Sequence, residues 1–213
     1  MTAHGVLAAL AFVIFFPVGG ILIRIASFRG LVWVHAACQV IGYLLFIAAF
    51  GIGIYMAKQI RRLNNVHPII GIVLFVLLFF QPFLGFLHHF MFKKYSRRVL
   101  WSYGHLWLGR IIITLGIING GLGLRLAQNT RKGEIAYGVI AGVMWLTYVA
   151  SAIYGELKRR KAGKNTPPPY DAAGVRQYDE SQVLGGAGSG HESSPDRNRE
   201  YYAKEQTEGH RYV

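Results

Sequence analysis

Five long apolar runs constrain the fold of this chain more than any other feature of its sequence. They are Gly5–Ile25, Leu31–Ala57, Pro68–Phe90, Leu106–Leu126 and Ile135–Tyr154. A helix of about 20 apolar residues crosses the roughly 30 Å hydrocarbon core of a bilayer. Lipid offers no water to satisfy the main chain, and the runs lack the alternation of barrel strands. We therefore predict an all-α, polytopic membrane helical bundle with five transmembrane helices.

The charged residues are distributed unevenly along the chain. The sequence has 213 residues, of which 53% are hydrophobic, and a formal net charge of +13. Every Asp and Glu lies at Glu134 or later, and the basic residues lie mainly at the ends of the runs. A nucleic-acid-binding protein carries its positive charge as a patch or stripe, so this distribution indicates membrane topology and no nucleic-acid partner.

The basic residues outside the apolar cores predict the orientation of the chain. The side of the N-terminus carries six of them: Lys58, Arg61, Arg62, Arg125, Arg131 and Lys132. The opposite side carries eleven: Arg24, Arg29, Lys93, Lys94, Arg97, Arg98, Lys158, Arg159, Arg160, Lys161 and Lys164. Cytoplasmic loops are enriched in Lys and Arg, so we predict an integral membrane protein with its N-terminus outside and its C-terminus in the cytoplasm.

The composition changes after about Gly163, where Gly, Pro, Ser and charged residues become frequent. Such a segment cannot form an apolar core, so we predict a transmembrane domain over residues 1–160 and a disordered cytoplasmic tail over residues 161–213. The tail contains PPPY at Pro167–Tyr170, a short proline-rich form that WW domains bind. This motif suggests an alternative function as a membrane adaptor that recruits a WW-domain ubiquitin ligase.

Four histidines recur at the N-terminal ends of the first four runs. They are His4, His35, His67 and His105, with separations of 31, 32 and 38 residues. Consecutive spans run in opposite directions, so His4 and His67 fall on one membrane side and His35 and His105 on the other. A lone histidine at a helix end is usually interfacial, but ionisable groups within spans mark functional sites. Two such pairs in a bundle could each ligate one haem iron.

Small residues favour a flat ligand at these histidines. Three of the histidines are followed four positions later, on the same helix face, by a small residue: Ala8, Gly71 and Gly109. Gln39 holds that position after His35, but Cys38 and Gly42 are small and near the same face. Small residues let a porphyrin approach a helix, although they also favour helix–helix packing.

A zinc ion fits this pattern less well. Two imidazoles per side leave a tetrahedral site short of ligands, and no carboxylate precedes Glu134. His88 and His89 could add ligands, but neighbours on a helix point about 100° apart. We interpret both residues as interfacial, near the inner end of the third span.

Four segments resemble the core helices of the cytochrome b561 family, in particular the membrane module that often follows an extracellular DOMON domain. They are HGVLAALAFVIFFPVGGILIR, VHAACQVIGYLLFIAAFGIGI, HPIIGIVLFVLLFFQPFLG and HLWLGRIIITLGIINGGLGL. The resemblance implies a four-helix core with two haem b groups, each held by two axial histidines. His4 and His67 would ligate the outer iron, and His35 and His105 the cytoplasmic one. In this family six-helix members have a helix before the first ligand, so a stand-alone core and an incomplete sequence are both open.

The resemblance also implies a function and partners. The family transfers electrons across a membrane, often from ascorbate in the cytoplasm to an ascorbate radical or ferric iron on the other side. Ascorbate-dependent or ferric reductase activity is therefore an expectation, with membrane lipid, a small electron donor, an outer redox acceptor and a second copy of the chain as expected partners.

Several polar residues within or beside the spans are candidate supporting groups. Arg110 lies five residues into the fourth span, where a buried guanidinium needs an anion, and we predict a haem propionate as its partner. Arg24 and Arg29 would attract ascorbate or a propionate on the inner side, or only satisfy the positive-inside rule. Gln81 and Asn119 are expected to form hydrogen bonds to other helices or to water.

Overall fold

Five helices make up the computed structural model, which describes residues 2–95 and 100–165. They are α1 (Thr2–Ile25), α2 (Leu31–Gln59), α3 (Val66–Tyr95), α4 (Leu100–Leu126) and α5 (Arg131–Asn165). Each helix contains one predicted run and is long and apolar enough to cross a membrane. The predicted all-α bundle of five spans is thereby confirmed.

Helices α1, α3 and α4 begin earlier than the apolar runs predict, and this brings His4, His67 and His105 inside them. Val66 begins α3, one residue before His67, and Leu100 begins α4, five residues before His105. A helix satisfies its own main chain, so it can continue through the interface after the apolar residues end. Gly30 precedes α2 with a φ of 86°, a left-handed conformation that glycine adopts at no steric cost.

One segment of α1 departs from α-helical geometry. Residues Leu10–Phe15 are π-helical, and the main-chain N–H of Phe16 donates to the carbonyl oxygen of Ala11, five residues back. An α-helical bond reaches back four residues, so this turn holds one extra residue. Pro17 follows at the start of the next α-helical segment, where its missing N–H is tolerated.

An apolar core lies between the two ends of the first four helices. Its buried members include Phe12, Phe16, Phe46, Leu74, Leu78 and Ile112. The Phe12 ring meets the rings of Phe16 and Phe46 edge to face, with centroids 5.2 and 5.1 Å apart. Lipid tails are as apolar as this core, so close packing and not exclusion of water holds the helices together.

The fifth helix packs against the bundle through large side chains. Tyr137 donates to the carbonyl oxygen of Ile117 at 2.7 Å, and Trp145 Nε1 donates to the Thr114 hydroxyl at 3.0 Å. Tyr148 is buried in the core. An open groove of about 540 Å³ separates α4 from α5 beside Tyr137 and Trp145.

The described residues divide into two compact units. The bundle unit runs to Ala26 and from Gly30 to Tyr154, and it contains all the contacts above. Ser27–Arg29 and the described residues from Gly155 onward belong to the other unit. Within it, Arg159 and Glu156 form an ion pair of 2.7 Å on the last turns of α5.

Candidate functional site

The four histidines form two pairs, one at each end of the apolar core. The ring centroids of His4 and His67 are 5.8 Å apart, and those of His35 and His105 are 6.5 Å apart. The two rings of each pair are inclined at 84°. The pairs join α1 to α3 and α2 to α4, so the structure brings together the residues that the alternation of helix direction pairs.

Hydrogen bonds through Nδ1 orient three of the four rings. The Nδ1–H groups donate to main-chain carbonyl oxygens of neighbouring helices: His4 to Ala49 at 2.7 Å, His35 to Gly19 at 2.9 Å and His67 to Asn119 at 3.0 Å. A carbonyl oxygen only accepts, so Nδ1 carries the proton and Nε2 keeps its lone pair. This is the arrangement that fixes the tautomer and orientation of metal-binding imidazoles in proteins.

Of the two polar residues within the spans, Asn119 contacts a histidine ring through its side chain and Gln81 does not complete a hydrogen bond through its Nε2 among the described residues. The buried Asn119 side chain also lies 3.1 Å from His67 Nδ1 through its Oδ1, which is the interhelix bond expected from the sequence. The His105 ring lies near the main chain of Gln81. The buried His105 Nδ1 and Gln81 Nε2 nevertheless complete no hydrogen bond within residues 2–95 and 100–165. His105 is therefore the ring that hydrogen bonds restrain least.

His88 packs against His105 of the His35–His105 pair. The sequence alone does not distinguish this placement from a position at the membrane interface. Its ring stacks on that of His105 with centroids 6.0 Å apart and planes inclined at 15°. Its Nδ1 shares a hydrogen bond of 2.7 Å with the hydroxyl of Ser102, which is fully buried. His89 is exposed. No spacing in the sequence separates these two neighbours, because the difference depends on how α3 packs on α4.

Three glycines, which the sequence analysis did not single out, lie under the histidine rings. A Cβ atom at each would meet the Cε1 atom of a ring: Gly53 that of His4 at 2.7 Å, Gly85 that of His105 at 3.1 Å and Gly123 that of His67 at 2.7 Å. Contacts of 2.7 Å essentially never occur between real atoms, so a side chain at Gly53 or Gly123 would displace the ring. The 3.1 Å contact at Gly85 is tight, and a side chain there would require the His105 ring to shift by a few tenths of an ångström. These glycines therefore leave the space that each ring occupies.

The two imidazole pairs fit an iron held between opposed rings. Metal–nitrogen distances of about 2 Å place the ring centres of two opposed ligands roughly 6 Å apart. The observed 5.8 and 6.5 Å agree with that separation. No group of three or more His, Cys, Asp or Glu side chains in the described part of the chain could hold a metal. A porphyrin, which supplies the other four donors itself, suits a pair of imidazoles.

Arg110 lies partly buried in α4, between the inner pair and the middle of the bundle. Its Cζ atom is 4.8 Å from the centroid of the Trp107 ring, a cation–π distance. Its Nε is buried and has no hydrogen-bond partner among the described residues. Tyr148 of α5 is within electrostatic range of both Arg110 and Arg24. A carboxylate could accept a hydrogen bond from this unsatisfied guanidinium N–H. The contact with a haem propionate stays a prediction.

Two predictions fall on parts of the chain that the structure does not describe or describes only at its edge. The PPPY motif at Pro167–Tyr170 lies outside the described residues, as does the predicted tail except for residues 161–165, which continue α5. Cys38, which the sequence places near the His35 face of α2, is half-buried, with its Cβ 3.0 Å from where a Gly19 side chain would begin.

Comparison with known sequences agrees with this geometry. A profile of eukaryotic cytochrome b561 matches residues 3–129, more than half of the 213 residues. The chain belongs to the cytochrome b561 family. The family is haem-binding, and the five apolar helices make the chain an integral membrane protein. The matched region contains both histidine pairs and ends before α5. It gives no support to the adaptor function.

Curated relatives come from Arabidopsis thaliana. One cytochrome b561 and DOMON domain-containing protein is 34% identical over 72% of this chain, and a second is 29% identical over 82%. A cytochrome b561 domain-containing protein is 33% identical over 61% of the chain. The alignments cover 39%, 46% and 52% of these relatives, so this cytochrome b561 chain spans about half of their length or less. No solved structure matches it.

Proposed function

We propose that this cytochrome b561 transfers electrons across a membrane through two bis-histidine haem b sites, one near each face. The observation that supports the proposal is the pair of neighbouring imidazoles at each end of one apolar core, with ring centroids 5.8 and 6.5 Å apart. His4 and His67 would hold the outer haem, and His35 and His105 the cytoplasmic one. When bound, the haems would supply one-electron redox chemistry at both ends of the bundle.

The protein's own contribution is to orient the ligands and to keep the path between them dry. His67, at one end of α3, and Gln81, which lies near His105 at the other end of the bundle, are 14 residues apart. This spacing corresponds to a rise of about 21 Å along the helix. Phe12, Phe46 and Ile112 pack between these two positions and exclude water. The Nδ1 hydrogen bonds fix the rings and raise their basicity, which tunes metal affinity and reduction potential.

The direction of transfer follows from the predicted topology. The side with eleven basic residues would be cytoplasmic, so a small anionic donor such as ascorbate would approach the His35/His105 end. The acceptor, an ascorbate radical or ferric iron, would approach the His4/His67 end. The orphaned Nε of Arg110 would bind a haem propionate at the inner site.

Single histidine variants test the pairing. Purified wild-type protein should contain two haems per chain in a reduced-minus-oxidised spectrum. His35→Ala and His105→Ala should each remove the same haem, because each leaves its iron with one axial ligand, and His67→Ala should remove the other. Loss of spectroscopically different haems from His35→Ala and His105→Ala would contradict the pairing. Haem-free wild-type protein would contradict the function itself.

A further inference from the structure

Three of the four ligand-bearing helices share one spacing. In each helix, the residue 14 positions after the helix's own histidine has its main chain near a histidine of the neighbouring helix. The residue 18 positions after it is the glycine under that neighbouring histidine ring. The sets are His35, Ala49 and Gly53 in α2; His67, Gln81 and Gly85 in α3; and His105, Asn119 and Gly123 in α4.

Helix geometry explains this spacing. Fourteen residues of α-helix turn through about 1,400°, some 40° short of four full turns, and rise about 21 Å. Eighteen residues make about five full turns. A helix with this spacing presents its own histidine at one end and a carbonyl and a glycine at the other, all near one face. We call this arrangement the ligand register.

The ligand register works reciprocally between antiparallel neighbours. In the α1–α2 pair, His4 lies against Ala49 and Gly53 of α2, and His35 lies against Gly19 of α1. In the α3–α4 pair, His67 lies against Asn119 and Gly123 of α4, and His105 lies near Gln81 and Gly85 of α3. Three of the four rings are therefore held by a hydrogen bond to the neighbouring helix, and the His105 ring lies close to Gly85 of its neighbour without such a bond among the described residues.

The first helix breaks the spacing by one residue. Gly19, which accepts from His35, follows His4 by 15 residues and not 14. In a uniform α-helix this extra residue would rotate Gly19 by about 100° and raise it by about 1.5 Å relative to the ligand register. The hydrogen bond from His35 nevertheless forms at 2.9 Å.

The π-helical turn lies between these two residues. The segment Leu10–Phe15 ends with the hydrogen bond from the Phe16 N–H to the Ala11 carbonyl oxygen. This bond spans five residues where an α-helical bond spans four, so the turn holds one additional residue. We infer that this turn is a register device, which absorbs the extra residue of α1 so that His4 and the Gly19 carbonyl both face the core. The inference rests on the proposed function, because the haem-ligand histidines define the ligand register.

Deletion of Ile14 tests the device. Ile14 lies within the turn and its side chain is 37% exposed, so little packing is lost with it. The deletion restores the 14-residue spacing if the turn becomes α-helical, and the variant should keep both haems at the wild-type ratio per chain. The matched control is deletion of Leu44, which is 60% exposed in the uniform α2 between His35 and Ala49. The control should lose at least half of the haem.

The outcomes separate the register device from the function. Loss of haem from, or aggregation of, the Ile14 deletion would overturn the inference, and so would full haem content in the Leu44 deletion. Wild-type protein without haem would count against the proposed function. In that case thermal unfolding still decides the register: the Ile14 deletion should unfold within a few degrees of wild type and the Leu44 deletion well below it, whereas equal losses would overturn the inference.

Discussion

At the residue scale, three of the four proposed ligand rings occupy space that a side chain on the neighbouring helix would otherwise fill. The clearest case is Gly53, where a Cβ atom would lie 2.7 Å from Cε1 and 2.9 Å from Nδ1 of His4. The same Nδ1 donates to Ala49 one helical turn earlier in α2. Displacing the His4 ring would therefore break its hydrogen bond to Ala49 and also change the direction of its Nε2 lone pair.

Gly53→Ala should consequently reduce the haem content of the outer site by half or more and leave the inner site unchanged. Gly51→Ala is the matched control, because nothing lies within 4 Å of a Cβ atom at Gly51 in the same helix. Both changes raise helix propensity equally, by up to about 1 kcal/mol, so any difference reports the ring contact. Identical reduced-minus-oxidised spectra from the two variants would show that the glycine is dispensable.

Arg110 offers a second test at this scale. Arg110→Leu should keep both haems, because all axial ligands remain, and should lower the reduction potential of the inner haem, because a nearby positive charge favours the added electron. Arg110→Lys should lower it less. Potentiometric titration of wild type and both variants measures the shift. Two unchanged potentials would assign the guanidinium to its contact with Trp107 alone.

At the element scale, the four ligand-bearing helices and α5 have different roles. The first four contribute the ligands and their orienting groups. The fifth contributes neither in the described residues, and it joins the bundle through Tyr137, Trp145 and Tyr148. A Cβ atom at Gly20 of α1 would lie 2.8 Å from the Tyr148 ring. Tyr148 therefore packs closely against α1 at this position.

Tyr148→Ala should therefore lower stability without removing haem. Replacing a buried aromatic ring by Ala typically costs about 3–5 kcal/mol, which corresponds to a decrease of about 6–20 °C in Tm for a chain of this size. Ile140→Ala is the control, because its side chain is 59% exposed on the same helix and would contact lipid. Thermal unfolding in detergent with haem counted per chain measures both effects. Haem loss in Tyr148→Ala would implicate α5 in the sites.

At the scale of the whole molecule, the two ends of the bundle are alike in their histidines. Each end has an imidazole pair over the same apolar core. The predicted topology divides the basic residues eleven to six between the two membrane sides. The proposed direction of electron transfer therefore depends on the charged residues at the ends of the spans and not on the histidine pairs.

We expect the C-terminal segment to lie in the cytoplasm. Protease added to intact cells should leave the chain after Lys164 uncut, because positively charged segments are retained on the cytoplasmic side. The same protease should remove that segment after permeabilisation, which controls for its accessibility. Cleavage in intact cells would exchange the donor and acceptor sides proposed above.

The sequence by itself determined the five spans and which histidines share a membrane side. Both follow from local properties: a run of about 20 apolar residues must be a helix in lipid, and successive spans must alternate in direction. The pairs His4–His67 and His35–His105 needed nothing further to be predicted.

Only the tertiary structure decided how the rings are held. The carbonyls that orient them, the stacking of His88 in preference to His89, the glycines under the rings and the π-helical turn all depend on the rotation and approach of neighbouring helices. In a soluble helix the apolar stripe reveals which face is buried. In a membrane helix the lipid-facing and core-facing sides are both apolar, so the sequence does not mark the packed face and only packing between helices selects it.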